Sequence, residues 1–273
     1  MKHDWNAILD RSASIVRSYS TGVTLRQLFY RLVAAEVLPN TVQAYKSLSH
    51  HTARARRAGT FPDLLDRKRE FHVPGGYESV AEAVEETVRI YRRDRTEGQP
   101  YSLFLASEKD GQVEQIKSWF GHLGLPIIAL GGYCSQGHVD RIAGHVRALG
   151  RPAILIYAGD HDPSGEDIDR DFVERTNCWA KVERVALTSA QVEEYNLPPQ
   201  PGKTTDSRAA KFVERHGRLV QVELDALPPD TLRGLYAEAV EQYLDRSALE
   251  AVLAQERTEV EQLREWAASG GGR

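Results

Sequence analysis

Residues 153–168 read Ala-Ile-Leu-Ile-Tyr-Ala-Gly-Asp-His-Asp-Pro-Ser-Gly-Glu-Asp-Ile, and this stretch decides the fold. Six apolar or aromatic residues without a charge, Ala153 to Ala158, fit a strand buried on both faces. The stretch ends abruptly in Gly159-Asp160-His161-Asp162-Pro163-Ser164-Gly165, where acids and turn residues replace the apolar ones. Working outward, similar short runs occur at Tyr101–Ala106, Pro126–Leu130, Val182–Leu187 and Leu219–Leu224. Segments with helical spacing separate them. Strands alternating with helices predict a parallel α/β sheet.

In an open parallel sheet, ligands sit beyond the carboxyl ends of the strands. Glu108 stands just past the first run, and Asp160 and Asp162 just past the third, so neighbouring strands are expected to bring the three acids together. Residues two apart in an extended segment point the same way, which lets Asp160 and Asp162 share a metal. Three hard oxygen donors suit Mg²⁺ rather than Zn²⁺. Ser164 with Asp167 is the expected cap of the following helix, whose first amides would favour a nearby phosphate. Asp and Ser after a strand are also common turn and cap residues, so a plain structural role stays open.

The chain has 273 residues, a formal charge of -4 and 41% hydrophobic residues, the profile of a globular protein of one or two domains. A chain of this length buries roughly 70 to 75% of its unfolded surface, enough to hold a core without disulfides. Cys134 and Cys178 therefore need no structural role, and no CxxC pairing is present. No apolar run approaches the roughly 20 residues of a membrane span, and Met1–Asp10 has no signal-peptide core. Membrane, secreted-disulfide and collagenous classes are excluded, and a cytoplasmic location is expected.

Charge is uneven. Residues 1–72 hold 12 Lys and Arg against 6 acids, while the remainder holds 23 against 33. A basic first quarter on an acidic body suggests a module that faces nucleic acid. Leu25, Leu28, Phe29, Leu32 and Val33 recur at helical spacing, and Thr24 with Gln27 fits a capping box, predicting a helix over 24–37. Leu38-Pro39-Asn40 breaks it, and a second helix over 41–58 carries Val42, Tyr45 and Leu48. Ile8, Ile15 and Val16 mark an earlier supporting helix. The pattern fits a winged-helix-like domain over 1–72, and equally a helical bundle with a solvated basic face. His50 and His51 are adjacent rather than at ligand spacing, so a solvated helix face explains them better than a metal.

A helix over 78–92, with Val80, Val84 and Val88 on one side, forms the core of a linker over 73–100. The sheet domain follows over 101–245. The segment 246–273 reads as an amphipathic helix to Ala268, with Leu249, Leu253, Val260, Leu263 and Ala267 as its seam and Glu256 interrupting it, followed by a disordered tail. The seam suits folding back on its own domain better than dimerisation.

Glu108-Lys109-Asp110, Gly132-Tyr133, the GDHDPSGEDI of 159–168 and the VELDAL of 222–227 together resemble the Toprim domain of the DNA topoisomerase VI A subunit and the related meiotic double-strand-break transesterase. The resemblance covers about residues 101–245. Upstream, Arg26-Gln27-Leu28-Phe29-Tyr30 is similar to the Arg-x-x-x-Tyr helix that carries the family's DNA-cleaving tyrosine in a preceding winged helix. The implied fold is α/β: an N-terminal helical winged-helix-like domain, a Toprim domain with a Rossmann-like parallel sheet, and a C-terminal helical segment.

The resemblance implies a Tyr30 nucleophile assisted by Arg26, Glu108 and Lys109, with Mg²⁺ held by Glu108, Asp160 and Asp162. It also implies double-stranded DNA as partner and a homodimer in which Tyr of one subunit works with Toprim of the other. A separate ATPase subunit would drive any strand passage, because the chain has no Gly-rich ATPase motif of its own. The loop Gly131–Gly137 (GGYCSQG) departs from the family in lacking the Lys and Pro-Asp expected around Gly-Tyr. Expected DNA contacts are Arg31, Arg54, Arg56, Arg57, Arg67, Lys68 and Arg69. Two other readings remain: a Toprim nuclease that uses water and leaves Tyr30 structural, and a non-catalytic DNA-binding or assembly protein.

Overall fold

The computed structural model describes residues 4–19, 22–65, 75–201 and 206–268. The first helix, α1 (Trp5–Ser18), starts where the Asp4 carboxylate accepts the amides of Asn6 and Ala7. α2 (Leu25–Ala34) starts at the capping box read from the sequence: Thr24 Oγ1 accepts Gln27 N at 3.2 Å, and Gln27 Oε1 accepts Thr24 N at 2.8 Å. Two orphan amides of the first turn are thereby satisfied. Thr41 caps α3 (Val42–Arg57) after the Pro39-Asn40 break. Among the described residues, the strand pairing associated with these helices is one isolated parallel bridge between Thr24 and Leu65. α4 (Val80–Ile90) is shorter than its expected span and has no fully buried residue; Val84 and Val88 are half-buried, while Val80 is exposed.

Four strands, β1 (Ser102–Ser107), β2 (Ile127–Ala129), β3 (Ala153–Ala158) and β4 (Lys181–Ala186), form one parallel sheet in the order β2-β1-β3-β4. Every residue of β1 and β3 is buried, which is why both read as unbroken apolar runs. The two-residue period sends successive side chains to opposite faces. Leu103, Leu105, Ile154 and Ile156 join one core cluster, and Phe104, Ala106, Leu155 and Tyr157 join the other. α5 (Val113–Phe120) covers the first face with Ile116, Trp119 and Phe120. α6 (Gln136–Ala148) and α7 (Pro163–Thr176) cover the second through Val139, Ile142, Val146, Ile168 and Phe172. The result is an α/β architecture consistent with a Rossmann-like sheet. Because β1 leads to β2 on one side and β3 lies on the other, a crevice opens at the carboxyl ends of β1 and β3.

The first cluster extends without interruption from the sheet to Ile8, Leu28 and Leu48 of the N-terminal helices. A buried polar contact fixes the docking: Gln27 Nε2 donates to Gln115 Oε1 at 3.0 Å, and Gln115 Nε2 donates to the Gly22 carbonyl at 2.5 Å.

Beyond β4 come α8 (Ser189–Glu194), β5 (Gln200–Pro201), α9 (Ala209–His216) and β6 (Val220–Gln221). Here the expected fifth strand over 219–224 is corrected. Only Val220 and Gln221 form a strand, paired antiparallel with β5, and Val222 exchanges two backbone hydrogen bonds with His161 at 2.9 and 3.0 Å. The segment therefore crosses the carboxyl end of the sheet instead of extending its edge.

α10 (Pro229–Glu241) returns to the first face, where the Tyr236 hydroxyl donates to the Ala106 carbonyl at 2.7 Å. α11 (Arg246–Ala268) packs against α4, with Leu249 and Val252 buried. Glu256, which breaks the apolar seam, is buried against Arg95 at 2.6 Å and accepts Arg93 N at 3.0 Å. No described helix is long and apolar enough to cross a membrane. Arg67, Lys68, Arg69 and the expected tail over 269–273 lie outside the described residues.

Candidate active site

Glu108 and Asp160 leave adjacent strands and meet. The Glu108 amide donates to the Ala158 carbonyl at 3.0 Å, and Glu108 Oε2 accepts the Asp160 amide at 2.8 Å. Asp160 in turn accepts Leu224 N at 2.8 Å through Oδ1 and the Lys109 ammonium through Oδ2. The close approach of α7 depends on Gly165, where a Cβ would stand 2.5 Å from the Asp160 carbonyl oxygen and 3.0 Å from Glu108 Oε2.

Asp162 takes a different direction. It is the N-cap of α7, its Oδ1 accepting Gly165 N at 2.7 Å, with Pro163 in the first turn. This corrects the expectation that Ser164 and Asp167 form the cap; Ser164 Oγ instead accepts Arg208 at 2.8 Å, and Asp167 binds Arg170 and the Tyr133 hydroxyl. Asp162 still lies near enough to Glu108 for its charge to raise the Glu108 carboxyl. Among the described residues, the trio whose ligand atoms all lie within 4.8 Å of one another is His161, Glu166 and His216.

Lys109 and Arg26 carry the site across to the helical layer. Lys109 Nζ contacts Asp160 and reaches Glu223 Oε2 at 2.9 Å. The other Glu223 oxygen binds Arg26, which also lies 3.8 Å from Asp225. Arg26 lies beside the Tyr30 hydroxyl one turn along α2, within the reach that the spacing of four predicted. The Tyr30 oxygen also accepts Gln200 Nε2 at 2.7 Å, and the side chain is only 4% exposed. An unbroken chain of contacts thus runs from Tyr30 through Arg26, Glu223 and Lys109 to Asp160 and Glu108. The link lies within one chain.

The electrostatics are dominated by burial. Desolvation pushes the Glu108 and Asp225 carboxyls above the ordinary range. Asp160 is raised for the same reason, with Glu108 and Glu223 adding repulsion that Lys109 does not fully offset. Lys109 is itself held protonated by Asp160 and Glu223 despite its burial. Burial also raises Tyr30, with Glu223 reinforcing the effect and Arg26 opposing it.

This donor set fits Mg²⁺ chemically. Five carboxylates, Glu108, Asp160, Asp162, Glu223 and Asp225, stand against Lys109 and Arg26, while Arg184 is engaged by Asp169 at 2.5 Å. Glu108 Oε1 and Asp162 Oδ2 take no hydrogen bond among the described residues.

A cleft of about 960 Å³ opens between α2 and the strand ends, lined by Arg26, Glu108, Lys109, Asp110, Gly131 and Gly132 among others. Gly131 is required there: its φ is +60°, and a Cβ would approach Asp110 Oδ1 to 2.9 Å. Tyr133 beside it is exposed and hydrogen-bonds to Arg208 at 2.6 Å.

Of the expected DNA contacts, Arg54 and Arg57 are exposed at the end of α3, Arg56 is half-buried and engaged, and Arg31 lies beside the Tyr19 hydroxyl. His51 stacks on Trp5 with ring centroids 4.1 Å apart, a packing role. Cys134 and Cys178 are free thiols. Sequence reasoning gave no role to Glu223, Asp225 or Gln200. The first two lie in the quoted VELDAL stretch, where acids interrupting apolar residues were the available signal; Gln200 has no comparable mark. No protein-family model matches the chain, and no curated protein matches it in sequence.

Proposed function

We propose that the protein cleaves DNA strands by tyrosine transesterification dependent on Mg²⁺. The observation that carries this reading is the contact chain from Tyr30 through Arg26, Glu223 and Lys109 to the Glu108–Asp160 pair, beside a cleft open to solvent. Arg26 binds a phosphate oxygen, and the Tyr30 oxygen attacks the phosphorus one helical turn away. A phosphotyrosyl bond forms, the bond from phosphorus to the departing sugar oxygen breaks, and that oxygen leaves as a free hydroxyl.

Lys109 supplies a fixed positive charge, kept in place by Asp160 and Glu223. Mg²⁺ held by Glu108, Asp160 and Asp162 would supply the remaining positive charge against the developing oxyanion. The DNA is double-stranded, Arg54 and Arg57 grip its backbone, and a second copy of the chain serves the opposite strand. A separate ATPase subunit is an additional partner where strand passage occurs.

One observation favours a second reading, metal-dependent hydrolysis with Tyr30 structural: the Tyr30 side chain is buried and Gln200 occupies its hydroxyl. Gln200 must release the hydroxyl before it can attack.

End-labelled supercoiled and linear DNA, incubated with the protein in Mg²⁺ or EDTA and then denatured, separates the readings. Protein-linked ends that vanish in Tyr30→Phe establish transesterification. Free nicked product that survives Tyr30→Phe and is lost in Asp160→Ala establishes hydrolysis. DNA binding without either product, with and without an ATPase partner, overturns both and leaves a scaffold.

A further inference from the structure

His161 lies between the two aspartates but belongs to neither of their contacts. Its backbone is locked to Val222, and its side chain is 3% exposed. The ring packs against Phe212 and His216, with centroids 5.0 and 4.8 Å away. Nδ1 is buried and has no hydrogen-bond partner, a costly state for an imidazole nitrogen. Beside it, Glu166 in the first turn of α7 meets His216 at the end of α9, with Oε1 to Nε2 at 2.6 Å. The second Glu166 oxygen accepts Arg215 Nη1 at 2.7 Å. One ligand atom from each of His161, Glu166 and His216 lies within 4.8 Å of the other two.

We propose that His161, Glu166 and His216 bind one transition-metal ion, with Zn²⁺ the best match, at a site separate from the carboxylate cluster. Two imidazoles and one carboxylate form a borderline donor set that Mg²⁺ does not favour and Zn²⁺ does. Tetrahedral bonds of about 2.0 to 2.1 Å place ligand atoms roughly 3.4 Å apart, so small side-chain rotations close the present spacing. Arg215 fixes the outer oxygen of Glu166, the kind of supporting contact that orients a metal-binding carboxylate. Three protein ligands leave the fourth position to water. The ion ties the end of α9 to the segment carrying Asp160 and Asp162, and gives the orphaned His161 ring a partner. A plain Glu166–His216 hydrogen bond accounts for two of the three residues and leaves His161 unexplained.

The test uses the full chain, stripped with chelator and dialysed, then titrated with Zn²⁺ by calorimetry and with Co²⁺ by visible absorption. The expected result is one ion per chain and the intense absorption of tetrahedral Co²⁺. Affinity should fall at least about tenfold in both His216→Ala and Glu166→Gln, and excess Mg²⁺ should not compete. Glu108→Gln should bind Zn²⁺ as the parent does. Circular dichroism confirms that each variant is folded, and Glu166→Gln, in a half-buried position, serves if His216→Ala is not. No stoichiometric binding, undiminished binding in the folded variants, or loss of binding in Glu108→Gln each overturns the assignment. Because these readouts need neither DNA nor turnover, their failure is distinct from failure of the cleavage reading.

Discussion

Two sides of one short segment differ in chemistry. Toward α2, Asp160 joins Glu108, Lys109 and Glu223, an oxygen-rich cluster neutralised by ammonium and guanidinium groups. Toward α9, His161 joins His216 and Glu166, a nitrogen-rich cluster. Adjacent residues of an extended chain point in opposite directions, so a change of parity is enough to sort the two. Burial acts on both with opposite sign. It raises Asp160 and Glu108, whose charged form is the base, and lowers His161 to about 4, whose charged form is the acid. One stretch of backbone thus presents a hard-cation environment and a borderline-metal environment back to back.

The largest test of that separation is catalytic. Glu108→Gln should reduce Mg²⁺-dependent DNA cleavage by at least about 10²-fold, and Tyr30→Phe should remove protein-linked ends, both read on denaturing gels. His216→Ala should leave cleavage unchanged; a comparable loss there would show that the two sides work as one site.

Next in size is Gly165→Ala, which forces a methyl group against the Asp160 carbonyl and Glu108. It should cost about 1 to 3 kcal/mol in urea unfolding and weaken Mg²⁺ binding more than Zn²⁺ binding. Equal effects on both ions would break the comparison.

Metal-free stability should carry opposite pH slopes from the two sides. The raised Asp160 and Glu108 favour folding while protonated, so their contribution declines as pH rises from about 4, the ordinary carboxylate value, through their elevated values. The lowered His161 favours folding while neutral, so its contribution is lost as pH falls from about 6.5 towards 4. Each fully transferred proton is worth about 1.4 kcal/mol per pH unit. Asp160→Asn should flatten the decline on the alkaline side, and His161→Gln the decline on the acid side, in denaturation measured across pH. If either variant flattens both limbs, the groups titrate together. The smallest effect belongs to the surface: Arg54→Ala should weaken DNA binding evenly across sequences and reduce the logarithmic salt slope by about 0.9.

The elements with strong local signals were legible in the sequence. The capping box of α2, the break at Pro39-Asn40, the buried runs of β1 and β3, and the full span of α11 all follow from residue spacing. Placing Glu108 and Asp160 on neighbouring strands followed from topology alone. What failed depended on tertiary competition for the same atoms. Ser164 with Asp167 looks like the cap of α7 by spacing, but Asp162 claims the first amides. Leu219–Leu224 has the composition of a strand, yet its pairing is decided by His161, which is distant in sequence. The His161–Glu166–His216 grouping was hidden because its members are five and fifty residues apart, a separation that carries no local period.

The contact between Arg26 and Glu223 has a consequence for how such a surface responds to salt. An exposed arginine that meets a phosphate replaces small ions, and its binding weakens steeply as salt is added. Arg26 already has a carboxylate as its resident counterion. A phosphate that took Arg26 would exchange one anion for another and leave Glu223 with Lys109, which Asp160 shares, so the acidic cluster as a whole collects a cation from solution. Engagement at the cleft is therefore an ion exchange inside the protein: it takes up a cation where the outer arginines release them, so its salt dependence should be shallower than a count of phosphate contacts would give.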